Sequence, residues 1–388
     1  MHKIINLGCK LNQYEGFCLA KKFGDIKDLI IVNTCCVTKE AEIKSLKKFR
    51  QAIRRYPTSK IIATGCACRI APEKFSKAHQ VIDNVERIDL IKNILPEPDR
   101  SRYFLKIQDG CNGTCAFCIV AKVRNTIKSK SLAEIVEEIS WATALGYKEV
   151  VLVGANIGLY GIDLGLSLTD LLKTLAEVNI LTRVRLSSIE PQFIDEELIA
   201  GLKELPFCRH FHIPIQSGDN RVLLQMGRGY DVSHLGKVIE LVSKNFTDVA
   251  ISGDVIVGFP GEGEKEFLNT FDFLKANPFT HLHVFPYSPR PFTRSYSLGD
   301  PVPAGVKNER LWQLKNLIAE KNYRYRLGLI DKRFGAIIEQ KIGKSTIGLT
   351  DNYCRVIIDS MQKKHDLVTI KITEVTSELT FGSVLENE

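Results

Sequence analysis

Apolar and polar positions follow two rhythms along this chain. Through residues 1–98 the runs KIINLG, LIIVNTC and KIIATGC have the texture of short buried strands, and the segments between them repeat with helical spacing. That alternation predicts a parallel α/β unit. Between the second and third runs lies TKEAEIKSLKKFRQAIRRYP, where Thr38 is placed to cap a helix that must end near Pro57. On helical spacing Lys44, Lys47, Lys48, Arg54 and Arg55 share one face, while Ile43, Leu46, Phe49 and Ile53 point elsewhere. LPEPDRSR at 95–102 has the proline and charge content of a linker, and a second alternating region follows it.

In that second region, residues 99–322, six strand-like runs recur between helical segments: YFLKIQD (103–109), EVVLVGA (149–155), TRVRLSS (182–188), HFHIPIQ (210–216), DVIVGFP (254–260) and HLHVFPY (281–287). Ser131 and Glu134 form a capping-box pattern ahead of the helical stretch IVEEISWATALG. Six β/α units predict an incomplete parallel barrel with its active site at the carboxyl ends of the strands. From 323 to 388 the texture becomes short β runs, GAIIEQ, STIGLT, CRVIID and DLVTIKITEV, which predict a small all-β barrel. The expected fold class is α/β, with a parallel α/β domain, a (β/α)6 barrel and an all-β barrel in series.

Composition narrows this picture. With 388 residues, 44% of them hydrophobic, the chain can bury several cores. It has no apolar run near the ~20 residues a membrane span needs, and its start lacks a secretory pattern, so a cytoplasmic protein is expected. The net charge of +8 is concentrated in residues 1–98, which hold 18 Lys/Arg against 10 Asp/Glu; the other two segments are nearly balanced. A basic first unit suggests a polyanionic partner such as nucleic acid. Eleven cysteines, an odd number spread unevenly, argue for metal ligation or redox chemistry over a disulfide framework.

Cys111, Cys115 and Cys118 follow a Cys-x3-Cys-x2-Cys spacing just beyond the first predicted barrel strand. Sulfur-rich ligation favours zinc or iron–sulfur, and no fourth ligand is near. Three thiolates on a four-iron cluster leave one iron open, whereas a zinc loop would need a distant fourth ligand. Cys9, Cys35 and Cys66 each end a strand of the first unit, and ends of parallel strands lie along one edge, so these thiols can converge. Cys36 and Cys68 adjoin two of them, and Cys18, Cys208 and Cys354 have no partner spacing.

The three-cysteine loop resembles that of the radical S-adenosylmethionine (SAM) enzymes, in which the open iron chelates SAM and reduction releases a 5′-deoxyadenosyl radical. LGCKLNQYE, VNTC, TGC, KIQDGCNGTCAFCIV, RLSSIEP, HIPIQSG, DVIVGFPGE and HVFPYSPR stand in the order found in radical SAM methylthiotransferases, so the likeness spans nearly the whole chain. It implies a methylthiotransferase domain, a radical SAM barrel and a TRAM domain. It also implies two [4Fe-4S] clusters, one on Cys111, Cys115 and Cys118, the other on Cys9, Cys35 and Cys66 rather than on Cys36 or Cys68.

The opening LGCK-x-NQYE is similar to the branch that modifies N6-threonylcarbamoyladenosine in tRNA. That branch implies a 2-methylthio product at position 37, a tRNA anticodon stem-loop as partner, an external electron donor and a sulfur donor. SAM would serve as methyl donor and radical source. Sibling branches act on isopentenyladenosine in tRNA or on a ribosomal-protein aspartate, and an iron–sulfur RNA-binding regulator without turnover is the rival of a different class.

By the same resemblance SAM is expected near Phe117, Gly154 and Asn156, and Ser188, Glu190 and Gln216, polar residues at later strand ends, are expected at its ribose or at the substrate. RNA contacts are expected from Lys44, Lys47, Lys48, Arg54, Arg55 and Arg124, and from Lys341, Lys344, Asn352 and Tyr353 of the last unit; a merely solvated helix face is the alternative for the basic stripe. One departure stands out: the family's IVPxxRG is IVAKVRN here, with Ala121 for proline and Asn125 for glycine.

Overall fold

The computed structural model describes residues 2–385. Its first sheet is parallel, with strands β1 (His2–Asn6), β2 (Leu29–Thr34), β3 (Lys60–Gly65) and β4 (Gln80–Ile82) side by side in chain order. Every residue of β2 is buried, as its apolar run Leu29 to Val32 requires of a strand covered on both faces, and the polar Asn33 and Thr34 are buried with it. The helix Lys39–Arg55 begins where Thr38 accepts from the Ala41 N–H and stops two residues before Pro57. Sequence patterning missed β4, whose three residues are too few to show a period.

The second unit is built from β5 (Tyr103–Lys106), the short pair β6 (Gln108–Asp109) and β7 (Lys128–Ser129), then β8 (Glu149–Val153), β9 (Arg183–Leu186), β10 (His210–His212), β11 (Ala250–Val257) and β12 (Phe279–Pro286). Parallel sheets β5-β8-β9 and β10-β11-β12 are stitched together where Val184 N–H donates to Pro206 O and Cys208 N–H to Val184 O. The result is the expected six-stranded arc. Tyr103, Leu105, Val150 and Leu152 face the helix layer, meeting Ile135 and Ile139 of the helix Leu132–Ala144, whose capping box of Ser131 and Glu134 is formed. On the other face Phe104, Val151 and Val153 pack against Tyr14, Cys18 and Leu19 of the first unit's helix Lys10–Lys22.

A helix Ala304–Leu327 runs through residue 322 and delivers the chain to β13 (Arg333–Ile342), β14 (Ser345–Thr350), β15 (Arg355–Ile358), β16 (Leu367–Val375) and β17 (Thr380–Val384). These close into a TRAM-like barrel in the order β13-β14-β15-β17-β16. It docks at the amino-terminal ends of β8 and β9. There Arg183 donates to Gly335 O at 2.7 Å, Arg185 donates to Thr350 O and Asp351 O, and both arginines pair with the buried Glu149. No helix among the described residues is long and apolar enough to cross a membrane.

Candidate active site

The cysteine loop leaves β6 and returns through β7, so the antiparallel β6–β7 pair holds both its ends. Within the loop Cys111 N–H donates to Arg124 O at 2.9 Å and Ala116 N–H to Met226 O at 2.7 Å, while Ser295 N–H donates to Ala116 O at 2.8 Å. Each sulfur has a donor: Gly113 N–H lies 3.3 Å from Cys111 Sγ, Val120 N–H 3.4 Å from Cys118 Sγ, and Arg228 Nη1 3.0 Å from Cys115 Sγ. Arg228 also ion-pairs with Glu190 and donates to Tyr230. Burial pushes the Glu190 carboxyl up and Arg228 opposes it. Glu190 thus comes to the loop through Arg228.

The other three cysteines lie at the ends of adjacent strands. Cys9 opens the helix Lys10–Lys22, Cys35 follows β2, and Cys66 opens the short helix Cys66–Ile70 after β3. Glycines make the approach possible. Gly8 (φ +91°) lies where a Cβ would stand 2.9 Å from Cys35 Sγ, and Gly65 (φ +100°) where one would stand 2.3 Å from Thr34 O. Asn84 Nδ2 faces Cys66 Sγ at 3.8 Å, and Arg290 donates to Cys36 O, steadying the backbone beside Cys35.

Between the two sets lies a buried ionic network that sequence reasoning missed. Glu15 receives Arg87 at 2.5 Å, Arg124 at 2.6 Å and Lys106 at 2.8 Å; Arg124 and Lys106 also reach Asp109 at 2.8 and 2.6 Å. Arg87 is fixed further by Asn12 and Asn33. Burial works against charge on Glu15, yet Arg124, Arg87 and Lys106 hold its carboxyl well below the usual range. Next to it Tyr14 donates to Glu138, as does Tyr103. Within the motif NQYE, Tyr14 and Glu15 therefore join the first unit to the barrel, while Asn12 and Gln13 bond within the first unit.

Several expected contacts fall elsewhere. Arg124, expected at RNA, is 6% exposed with both Nη atoms on Glu15 and Asp109. Asn352 is fully buried, bonded to Thr350, Tyr325 and Asp248 O. Tyr353 (φ +65°) stacks on His210 at 4.1 Å with Arg185 over its ring. These last two therefore dock the TRAM-like barrel and are not free for bases. Gly154 gives its Cβ space to Gln108 Oε1, Asn156 caps the turn Ile157–Leu159, and Phe117 packs edge-on to Phe259. Ser188 bonds His212, and Gln216 holds a left-handed backbone (φ +67°) beside β11. Lys44, Lys47, Arg54, Arg55, Lys341 and Lys344 are exposed and Lys48 is half-buried. Asn125 does not adopt a positive φ, so a glycine there is not needed.

Residues 105–274 match the model of the radical SAM superfamily, and residues 2–86 that of the uncharacterized protein family UPF0004. Proteins named threonylcarbamoyladenosine tRNA methylthiotransferase MtaB are similar over nearly the full chain. The one from Thermotoga maritima is 33% identical, covering 97% of this chain and 93% of its own, and that from Aquifex aeolicus is 32% identical, covering 94% and 98%. The chain belongs to the radical SAM methylthiotransferases. Among solved structures, the radical SAM methyltransferase TsrM from Kitasatospora setae shares the fold at TM-score 0.56 and 15% identity, over 72% of this chain and 66% of that one.

As a radical SAM methylthiotransferase the protein is a transferase that uses SAM and [4Fe-4S] chemistry. Its thiols fit such groups. A single zinc, with Zn–S of about 2.3 Å, draws its sulfurs to about 3.8 Å from one another. Among the described residues neither cysteine set brings three sulfurs within 4.8 Å of one another, so neither is closed around a single zinc. Burial pushes the Cys35 and Cys118 thiols up to about 12, so both resist ionising alone and await a cationic centre.

Proposed function

We propose that this methylthiotransferase converts N6-threonylcarbamoyladenosine at position 37 of tRNA into its 2-methylthio derivative with two [4Fe-4S] clusters. Cys111, Cys115 and Cys118 hold one, and Cys9, Cys35 and Cys66 hold the other. The observation that carries this reading is the presence of two separate three-cysteine sets, one on a loop and one at the ends of parallel strands, in a chain whose full-length relatives bear that substrate in their names. When bound, the clusters and SAM supply the radical that activates adenine C2 and the methylated sulfur that replaces its hydrogen.

The protein's own residues hold these groups in place. Arg228 orients Cys115 and offsets its charge, with Glu190 keeping the guanidinium in position. Arg124 and Glu15 fix the cysteine loop relative to the helix that Cys9 opens. Lys44, Lys47, Lys48, Arg54 and Arg55 give the anticodon stem-loop a cationic surface, with Lys341 near the end of β13 and Lys344 on the turn that follows it as a second one. An external electron donor and a sulfur donor complete the reaction, which we place in the cytoplasm. The three functional units correspond to residues 1–98, 99–322 and 323–388.

The test is anaerobic turnover of the reconstituted enzyme, carrying about eight irons for two four-iron clusters, with SAM and tRNA, followed by nucleoside analysis. 2-Methylthio-N6-threonylcarbamoyladenosine is the expected product. Methylthiolated isopentenyladenosine, or tRNA binding without 5′-deoxyadenosine, would overturn the reading.

A further inference from the structure

Two strands carry a His-x-His pattern that the proposed chemistry does not use. Of the eight histidines in the chain, four lie on β10 and β12: His210 and His212, His281 and His283. Strand β11 runs between them, and its register sets Ser252 beside His212 and His281, and Asp254 beside His283. Two rungs of polar side chains result.

The lower rung offers a serine in place of a carboxylate, and His210 Nδ1 there is buried without a hydrogen-bond partner. His210 Nε2 meets Ser252 Oγ at 2.8 Å under the Tyr353 ring, and His281 bonds Thr280 and Asn322. The upper rung, His212, Asp254 and His283, is arranged differently. Ser188 Oγ stands 2.8 Å from His212 Nδ1, fixing the ring so that Nε2 faces Asp254. That Nε2 lies 3.4 Å from Asp254 Oδ1, is buried and has no hydrogen-bond partner. His283 Nδ1 lies 3.2 Å from the same oxygen, and one ligating atom from each of the three residues falls within 4.8 Å of the others.

These separations suit coordination. A metal with M–N and M–O bonds of about 2.1 Å sets adjacent donors about 3.0–3.4 Å apart. Two imidazoles and one carboxylate form the donor set of mononuclear zinc and iron(II) sites, and a hydroxyl behind one imidazole is the outer contact such sites use to fix a ring. The burial of Asp254 works against its charge, yet the two imidazoles keep it well below the usual carboxylate range. Three adjacent strands provide a rigid frame, and the His283 side chain is 65% exposed, so one face stays open.

We propose that His212, Asp254 and His283 bind one divalent transition-metal ion, distinct from the six-cysteine iron sites, with its open positions toward solvent. Water or an anionic oxygen of a bound molecule would complete the coordination.

The test uses the anaerobically reconstituted holoenzyme, freed of loose metal by a chelator and titrated with zinc chloride. Bound zinc and iron are counted by mass spectrometry. One zinc per chain is expected, with affinity falling at least tenfold in Asp254→Asn and His283→Gln while iron content is unchanged. Zinc bound equally by the wild type and both variants, or no zinc bound by the wild type, would overturn the site. Should Asp254→Asn lose iron through misfolding, His283→Gln, altered at an exposed side chain, decides alone. An anomalous peak at the zinc edge among the three side chains in wild-type crystals is the independent check.

Discussion

The two cysteine sets reach similar ends by opposite routes. Cys111, Cys115 and Cys118 lie within eight residues, on one loop gripped by backbone hydrogen bonds from both sides. Cys9, Cys35 and Cys66 come from three strand ends far apart in sequence and share one edge only because the sheet is parallel. A loop carries its geometry in its own spacing, whereas an edge site depends on the whole unit being folded. The first set is therefore robust to change elsewhere, and the second inherits every weakness of the sheet and of its seam with the barrel.

The sharpest way to test that contrast is to remove one thiol from each set. Cys115→Ala should lower iron from about eight to about four per chain and abolish both 5′-deoxyadenosine and methylthiolated product. Cys66→Ala should lose the same amount of iron yet keep reductive SAM cleavage, read as 5′-deoxyadenosine without product. Next in size is Glu15→Gln, which leaves Arg87, Arg124 and Lys106 facing a neutral group at a buried position. A loss of about 3–5 kcal/mol in denaturant unfolding is expected, with iron lost first from the strand-end set.

Glu149 offers a control at the far mouth of the barrel, away from both sets. Arg185 and Arg183 hold its carboxyl at about 2 despite burial. Its stabilisation is fully present above the ordinary value of 4.5 and is lost as pH falls toward about 2, amounting to about 3 kcal/mol. Acid unfolding of the cluster-free protein should show this dependence, and Glu149→Gln should flatten it. The smallest effect belongs to the basic stripe: Lys44→Ala with Lys47→Ala should weaken tRNA binding severalfold and lower the salt slope by about one per lost phosphate contact. An unchanged slope would leave that helix face merely solvated.

Much of this architecture was legible from the chain. The six barrel strands, the Thr38 and Ser131 caps and the Cys-x3-Cys-x2-Cys loop each depend on short-range spacing, which a sequence displays directly. β4 and β17 escaped because three residues show no period and TFGSV interrupts its apolar pattern with glycine and serine. Arg124, Asn352 and Tyr353 misled for a common reason. A polar residue in a loop or turn looks free until the element that buries it is known, and here those elements lie 109, 104 and 143 positions away, at Glu15, Asp248 and His210. The ionic network was invisible for the same cause, since its five members have no spacing that relates them.

That network also bears on how such a protein can be taken apart or inherited. Arg87, Lys106 and Arg124 share Glu15 and Asp109, three positive charges against two negative, with Glu15 and Arg87 on one side of the linker and the other three beyond it. Cutting the chain between residues 95 and 102 would balance one half, Glu15 against Arg87, and strand a surplus cation on the face of the other. The two units are thus poor modules. Exchanging the first between relatives calls for matching residues 15, 87, 106, 109 and 124 together, so the seam would travel as a single heritable piece although the chain crosses it only once.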